Sequence, residues 1–170
     1  MAGSTYTPIA TSTLGSATRS VTFSSIPSTY TDLFVVMSIT GLSATGGTVV
    51  IRMNGDTTSN YSTTSYSGTG TATSSNRYTR TDAIQGVVVG GSNYGSGTGT
   101  QMIAANIMAY TNSTLKKTVL ARHNDATSLV QANVGFWNST SAITSITCDA
   151  NSFWTFSSGS TFTLYGILAA

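Results

Sequence analysis

The sequence has no glutamate, one histidine, one cysteine and two prolines, and its seven lysines and arginines and five aspartates amount to only 7 % of 170 residues. Each scarcity excludes something. Cys148 is alone and forms no internal disulfide, and within the alternating stretch AITSITCDA it reads as a small buried apolar residue. A single histidine, His123, excludes a metal site built from several imidazoles. Five isolated aspartates without glutamate argue against hydrolysis of a glycosidic bond between paired carboxyl groups. A net charge of +2 is too small and too scattered for a nucleic-acid footprint. The longest purely apolar run, Leu33 to Met37, falls far short of the ~20 residues of a membrane helix. The opening MAGSTYTPIA has neither the basic start nor the apolar segment of a secretion signal. A soluble product made in a cytoplasm, with neither nucleic acid nor membrane as partner, is the expectation.

What the chain does have is serine, threonine and glycine in excess, interleaved with eight tyrosines, six phenylalanines and two tryptophans in a composition that is 39 % hydrophobic. Disordered chains are usually charged and poor in apolar residues, so this balance points to a folded protein. Helical periodicity and strong helix formers are scarce, whereas threonine suits the outward positions of a pleated strand. A surface of short hydroxyls also offers little like-charge repulsion to packing beside copies of itself.

Alternation of period two recurs along the chain. RSVTFSSI places Val21 and Phe23 on one face, and Pro27 then breaks the run before TDLFVVMSIT, which reads as a strand buried on both sides. TVVIRMN sets Val49, Ile51 and Met53 on one face and ends at Asn54-Gly55, a strong turn signal. Residues 57 to 76 read as a long surface loop with a weak edge strand around Tyr61 to Tyr66, and GGSNYGSGTGT at 90 to 100 as a second loop. The runs KKTVLARH, SLVQANVGFW, AITSITCD and STFTLYGIL follow in quick succession. Strands of this length and spacing predict an all-β, antiparallel sandwich or barrel of eight to ten strands, in one domain over residues 1–170.

Chemistry is harder to place. A triad of His123 with a serine and one of Asp32, Asp82, Asp125 or Asp149 is arithmetically possible, but no GxSxG elbow is present, and His123 reads as a polar residue beside a turn. Asp32 opens a buried strand and Asp56 follows Asn-Gly, so both read as turn or capping groups that accept backbone N–H bonds. One carboxylate, even with Asn60 nearby, is too little for calcium. Trp137 after Phe136, and Phe153, Trp154 and Phe156 in NSFWTF, read as an aromatic plug for one end of the sandwich, in preference to an exposed stacking surface. In STFTLYGILAA, Phe162, Leu164, Gly166 and Leu168 alternate with Thr161, Thr163, Tyr165 and Ile167, so both faces carry bulk, and Gly166 marks a bulge or a close backbone approach. Residues 2 to 10 and this last strand are expected to pair, within the domain or across a subunit boundary.

The opening MAGSTYTPIATSTLGSATRSVTFSSIPSTYTDLFVVMSI, the middle RMNGDTTSNYS and the close VGFWNSTSAITSIT with FSSGSTFTLYGI resemble small virion structural proteins of tailed bacteriophages, including phages of aquatic bacteria and cyanobacteria. The resemblance implies a jelly-roll β-sandwich on the exterior of a virus particle, made in the host cytoplasm and assembled as a homotrimer. It implies a non-enzymatic capsid decoration or cement protein seated on the major capsid protein or another virion protein, with no catalytic residue, cofactor or metal. Trp137, Phe153, Trp154, Phe162, Leu164, Tyr165, Ile167 and Leu168 are then the candidate interface residues. The alternative within the resemblance is a tail-fibre or receptor-binding domain, with Tyr61, Tyr66, Tyr78 and Tyr94 stacking on host glycans.

Overall fold

Alternating side chains become twelve strands in the computed structural model, which describes residues 5–43, 47–78, 82–89, 100–125, 129–151 and 153–168. In chain order they are β1 (Tyr6–Thr13), β2 (Ser20–Phe23), β3 (Asp32–Ile39), β4 (Gly47–Met53), β5 (Tyr61–Gly68), β6 (Thr73–Tyr78), β7 (Ile84–Val89), β8 (Gln101–Ile107), β9 (Lys117–Asp125), β10 (Leu129–Trp137), β11 (Ile146–Asp149) and β12 (Thr161–Ile167). They form an eight-stranded sheet, β1-β12-β3-β8-β9-β10-β5-β6, and a four-stranded sheet, β2-β11-β4-β7. Every neighbouring pair is antiparallel.

This order contains a jelly roll. The quartet β1-β12-β3-β8 faces β2-β11-β4-β7, first strand beside last in one sheet and second beside next-to-last in the other, as two interlocked Greek keys require. The remaining four strands are two hairpins: β5-β6 is inserted between β4 and β7, and β9-β10 between β8 and β11. Both hairpins add to the β8 edge and double the width of that sheet. The strand count therefore exceeds eight to ten, chiefly because the Ser/Thr/Tyr stretch read as a loop pairs as β5 and β6. Its hydroxyls bond across strands, as at Ser67 and Ser74, 2.7 Å apart.

The jelly-roll half holds the apolar core. Leu33, Val35, Met37 and Ile39 of β3, Ile103 and Ile107 of β8, and Phe162 and Leu164 of β12 cluster with Val21, Phe23, Val49, Ile51, Met53 and Ile146 of the smaller sheet. β3 is buried on one face only. The strand covered on both faces is β4, whose Arg52 donates from Nη1 to Asp149 Oδ2 at 2.8 Å and from Nη2 to Asp82 Oδ2 at 3.0 Å. Cys148 is fully buried, and burial, followed by the charge of Asp149, pushes its thiol up to about 12. Lys117 is also fully buried; burial pushes its pKa down, and Nζ donates to the Leu115 carbonyl at 2.7 Å and the Thr140 carbonyl at 3.3 Å.

Three of the expected interface residues lie in this interior, which corrects their assignment. Phe162 and Leu164 point inward from β12, where Phe162 meets Phe156 edge to face at 4.8 Å, and Trp137 is 2 % exposed. The last strand is not at a sheet edge, because β1 pairs with it from Tyr6↔Ile167 to Thr13↔Thr161, within the same chain. Gly166 is a close approach: a Cβ there would lie 2.2 Å from the ring of Tyr30.

The chain crosses from the smaller sheet to the larger between β4 and β5, and Asp56 holds that corner. Its Oδ1 accepts from the Thr58 amide at 2.8 Å and the Thr58 hydroxyl at 2.6 Å, and its Oδ2 from Asn60 Nδ2 at 2.9 Å and Trp137 Nε1 at 2.8 Å. These donors saturate the carboxylate. Tyr61 stacks on Trp137 with ring centroids 6.2 Å apart and its hydroxyl donates to the Asp56 carbonyl, so it is 6 % exposed and its expected glycan-stacking role is corrected to a core one. Burial raises the pKa of Asp56, but the bonds from Thr58, Trp137 and Asn60 outweigh it and hold the carboxyl well below its ordinary 3.8.

A depressed carboxyl stabilises the fold above its unfolded pKa and loses that contribution as pH falls through the folded value. Asp56→Ala is expected to destabilise the protein by roughly 1–3 kcal/mol at pH 7, the scale of hydrogen bonds to a charged group. The gap to the native protein should narrow below about pH 4. Urea titrations followed by tryptophan fluorescence at neutral and acid pH measure both; an undiminished gap in acid would contradict the assignment.

Candidate ligand-binding face

Along part of β10 the usual division of polar and apolar residues is reversed. On β10, Gln131 and Asn133 point inward, while Val130, Val134 and Phe136 point outward and are 64 %, 41 % and 36 % exposed. The inward amides each make at least one hydrogen bond through their N–H groups. Gln131 Nε2 donates to Ser65 Oγ, Asn133 Nδ2 to the Gln85 carbonyl at 3.2 Å, and the Gln85 amide to Thr63 Oγ1 at 3.1 Å. His123 Nε2 lies 3.3 Å from Gln101 Oε1. His123, read as a polar residue beside a turn, lies two residues before the end of β9 and is 5 % exposed.

The outward face of the larger sheet is relief made by side-chain size. Register aligns Ala104 of β8, Arg122 of β9, Ala132 of β10 and Tyr66 of β5 in one row across the strands. Each alanine leaves a well. One depression, of about 680 Å³, lies over Ala132 between Tyr66 and Arg122, with Val130 and Ser75 on its border. A second, of about 400 Å³, lies over Ala104 between Arg122 and Phe34, bordered by Met102 and Asn124. Arg122 is the wall that both share.

Its charge lacks a carboxylate partner among the described side chains. Arg19 and Arg52 pair with Asp149, and Arg52 also with Asp82. Arg122 Nη2 instead donates to the neutral Asn106 Oδ1 at 3.2 Å, and among the described residues no carboxylate lies within ion-pair distance of it. A guanidinium in that position presents a planar fork to a ligand carboxylate, beside an aromatic wall on either hand.

Of the tyrosines expected on glycan-binding loops, Tyr66 stands on this face and is 55 % exposed. Tyr78 pairs with Thr63 and so points to the opposite face from Tyr66, and Tyr94 lies outside the described residues. Tyr165 shares the outward face three strands from Arg122. Phe153 is exposed, Leu168 is exposed, and Trp154 and Ile167 are half-buried; none of these four lines the wells. Sequence reasoning passed over Arg122, Ala104, Ala132 and Phe34. The available signal was VQANVGFW, in which Gln131 and Asn133 share the parity of the buried Leu129 and Trp137.

No family model and no curated protein matches the chain. Among solved structures it is similar to alginate lyase Aly36B at 13 % identity and a TM-score of 0.33, covering 94 % of this chain and 81 % of that one. A double mutant of Aly36B in complex with alginate trisaccharide gives 12 % identity and a TM-score of 0.36, with 92 % and 78 % covered. A likeness at this level assigns no substrate and no residue role to this chain. The expectation of a non-enzymatic phage virion protein, whether capsid decoration protein or tail-fibre domain, stands against this finding and is not carried further: the structures found are alginate lyases and not virion proteins. Its chemical ground was also too narrow. Scarce carboxylates argue against hydrolysis between paired carboxyl groups and say nothing about acid–base chemistry by tyrosine, histidine or lysine.

Because Arg122 makes a single neutral hydrogen bond at the surface, Arg122→Gln is expected to change stability by less than about 0.5 kcal/mol. Chemical denaturation checks this, and a loss of several kcal/mol would mark Arg122 as structural.

Proposed function

We propose that this protein binds carboxylated oligosaccharides, of the uronic-acid class, on the outward face of its larger sheet. The observation that carries the reading is the placement of Arg122, unpaired with any described carboxylate, between two wells floored by Ala132 and Ala104 and walled by Tyr66 and Phe34. A sugar ring in a well would set its apolar face against an aromatic wall and its carboxylate against the guanidinium. The surrounding Ser75, Thr73 and Asn124 supply hydroxyl and amide groups for the ring hydroxyls. A concave, mostly apolar site with a few placed polar groups is the general form of a small-ligand site.

Titration calorimetry with an oligouronate and a neutral glucan oligosaccharide of equal length tests this. Binding of the uronate should exceed that of the glucan by at least about tenfold, the factor that 1.4 kcal/mol of charge-assisted contact supplies. Arg122→Gln should remove the preference, and Ala132→Leu should weaken the uronate by filling the larger well. Equal binding of both sugars, or a preference that survives Arg122→Gln, would refute the proposal. Ultraviolet absorbance of unsaturated uronate ends in the same samples reads whether the bound chain is also cleaved.

A further inference from the structure

Beyond the two wells, the same face carries a third aromatic station. Tyr6 of β1, Phe34 of β3 and Tyr165 of β12 meet edge to face or tilted, with centroids 5.7 Å apart for Tyr6 and Phe34 and 6.5 Å apart for Phe34 and Tyr165. Tyr6 and Tyr165 are also 6.5 Å apart. Phe34 belongs to both groups, because it walls the well over Ala104 and is the inner member of the trio. Register places Tyr165 directly opposite Phe34, so these two side chains share the outward face with Arg122.

The row of Ala104, Arg122, Ala132 and Tyr66 continues through Val36 of β3 and Thr163 of β12, and the trio flanks it one residue pair along the strands, joined to it by Phe34 at the Ala104 well. Between β1 and β5 lie six strand spacings, about 29 Å along the sheet. That is far longer than either well. Small residues keep the track open between the aromatic stations, and the described aspartates Asp56, Asp82 and Asp149 are engaged elsewhere in the fold. Asp32, whose Oδ1 accepts from the Ala109 amide at 2.6 Å, shares a register row with Ile167 and Tyr6 at the β3 end of the face.

Resting on the reading of Arg122 as the carboxylate anchor, we infer that the face is a multi-subsite track for an extended polyuronate chain lying across the strands. Tyr165, Phe34 and Tyr6 form the distal subsite. Short fragments occupy the wells beside Arg122, and longer chains gain the distal aromatic surface without a second loss of translational freedom.

The test compares an oligogalacturonate disaccharide with the hexasaccharide by calorimetry on the full chain. The hexasaccharide is expected to bind at least about tenfold more tightly than the disaccharide. Tyr165→Ala should bring that ratio close to unity, Tyr165→Phe should retain it, and Arg122→Gln should weaken both sugars. Near-ultraviolet circular dichroism and a thermal melt confirm that each variant folds; if Tyr165→Ala does not, a ratio that stays at the native value in Tyr6→Ala overturns the inference. Equal affinity for the two lengths in the native protein overturns the track but leaves the Arg122 site standing. Absence of binding by either sugar overturns both.

Discussion

The larger well of the outward face depends on where β5 enters the larger sheet, and that entry is set by one carboxylate. Asp56 gathers the Thr58 amide and hydroxyl, Asn60 and the indole of Trp137 around its two oxygens, and Trp137 is the last residue of β10. The first register pair of β5 with β10 is Tyr61↔Trp137, with their rings stacked. A slip of one residue would turn every side chain of β5 to the other face. Tyr66 would then leave the row of Ala132 and Arg122, and the larger well would lose a wall. The Asn54-Gly55 turn before Asp56 is fixed in turn, since Asn54 Oδ1 accepts from the amides of Thr144 and Ser145 at 2.8 and 3.1 Å.

Widening a jelly roll by two hairpins leaves an area of sheet that the four opposing strands do not cover with apolar side chains. The interior under the hairpins is partly polar, through His123, Gln131, Asn133 and Ser65 beside Val119, Ala121 and Trp137, while the outward positions of β10 hold Val130, Ala132, Val134 and Phe136. Buried polar groups cost stability unless they are bonded, and bonded networks specify one arrangement of the strands above them. The apolar side chains released from packing stand where a ligand can reach them. Gly135 shows how close the layers come in this region, since a Cβ there would lie 2.3 Å from Ile84.

Much of the fold is legible in the residues. Val21 and Phe23, Val49, Ile51 and Met53, and Phe162 and Leu164 alternate because they line one core, and Asn-Gly ends β4 where its positive φ angles are needed. The β5-β6 hairpin is not legible, because its strands are serine, threonine and tyrosine, whose pairing energy comes from neighbours that local pattern does not name. The binding face is less legible still. Arg122 becomes a wall between wells only when register brings Ala104 and Ala132 to either side of it, and register between distant strands is a tertiary fact. Tryptophan and tyrosine mark function poorly here for the same reason: Trp137 and Tyr61 spend their polar atoms on the Asp56 corner, and only Tyr66 of the described loop-region tyrosines faces the wells.

An open face with one arginine cannot bind tightly by charge alone. An ion pair in solvent is worth about 0–1 kcal/mol, and salt screens it over about 8–10 Å. The aromatic walls change that balance in two ways: they add contact area to each sugar, and they narrow the angle from which water reaches the guanidinium, which lowers the local dielectric felt by a bound carboxylate. Asn106 contributes by holding one amino group of Arg122 in place, so less side-chain freedom is lost when a ligand arrives. Such a site is weak at each station and selective at one of them. Its affinity must then grow with the number of stations a ligand spans, and that favours a polymer over any small carboxylate that could fill a single well.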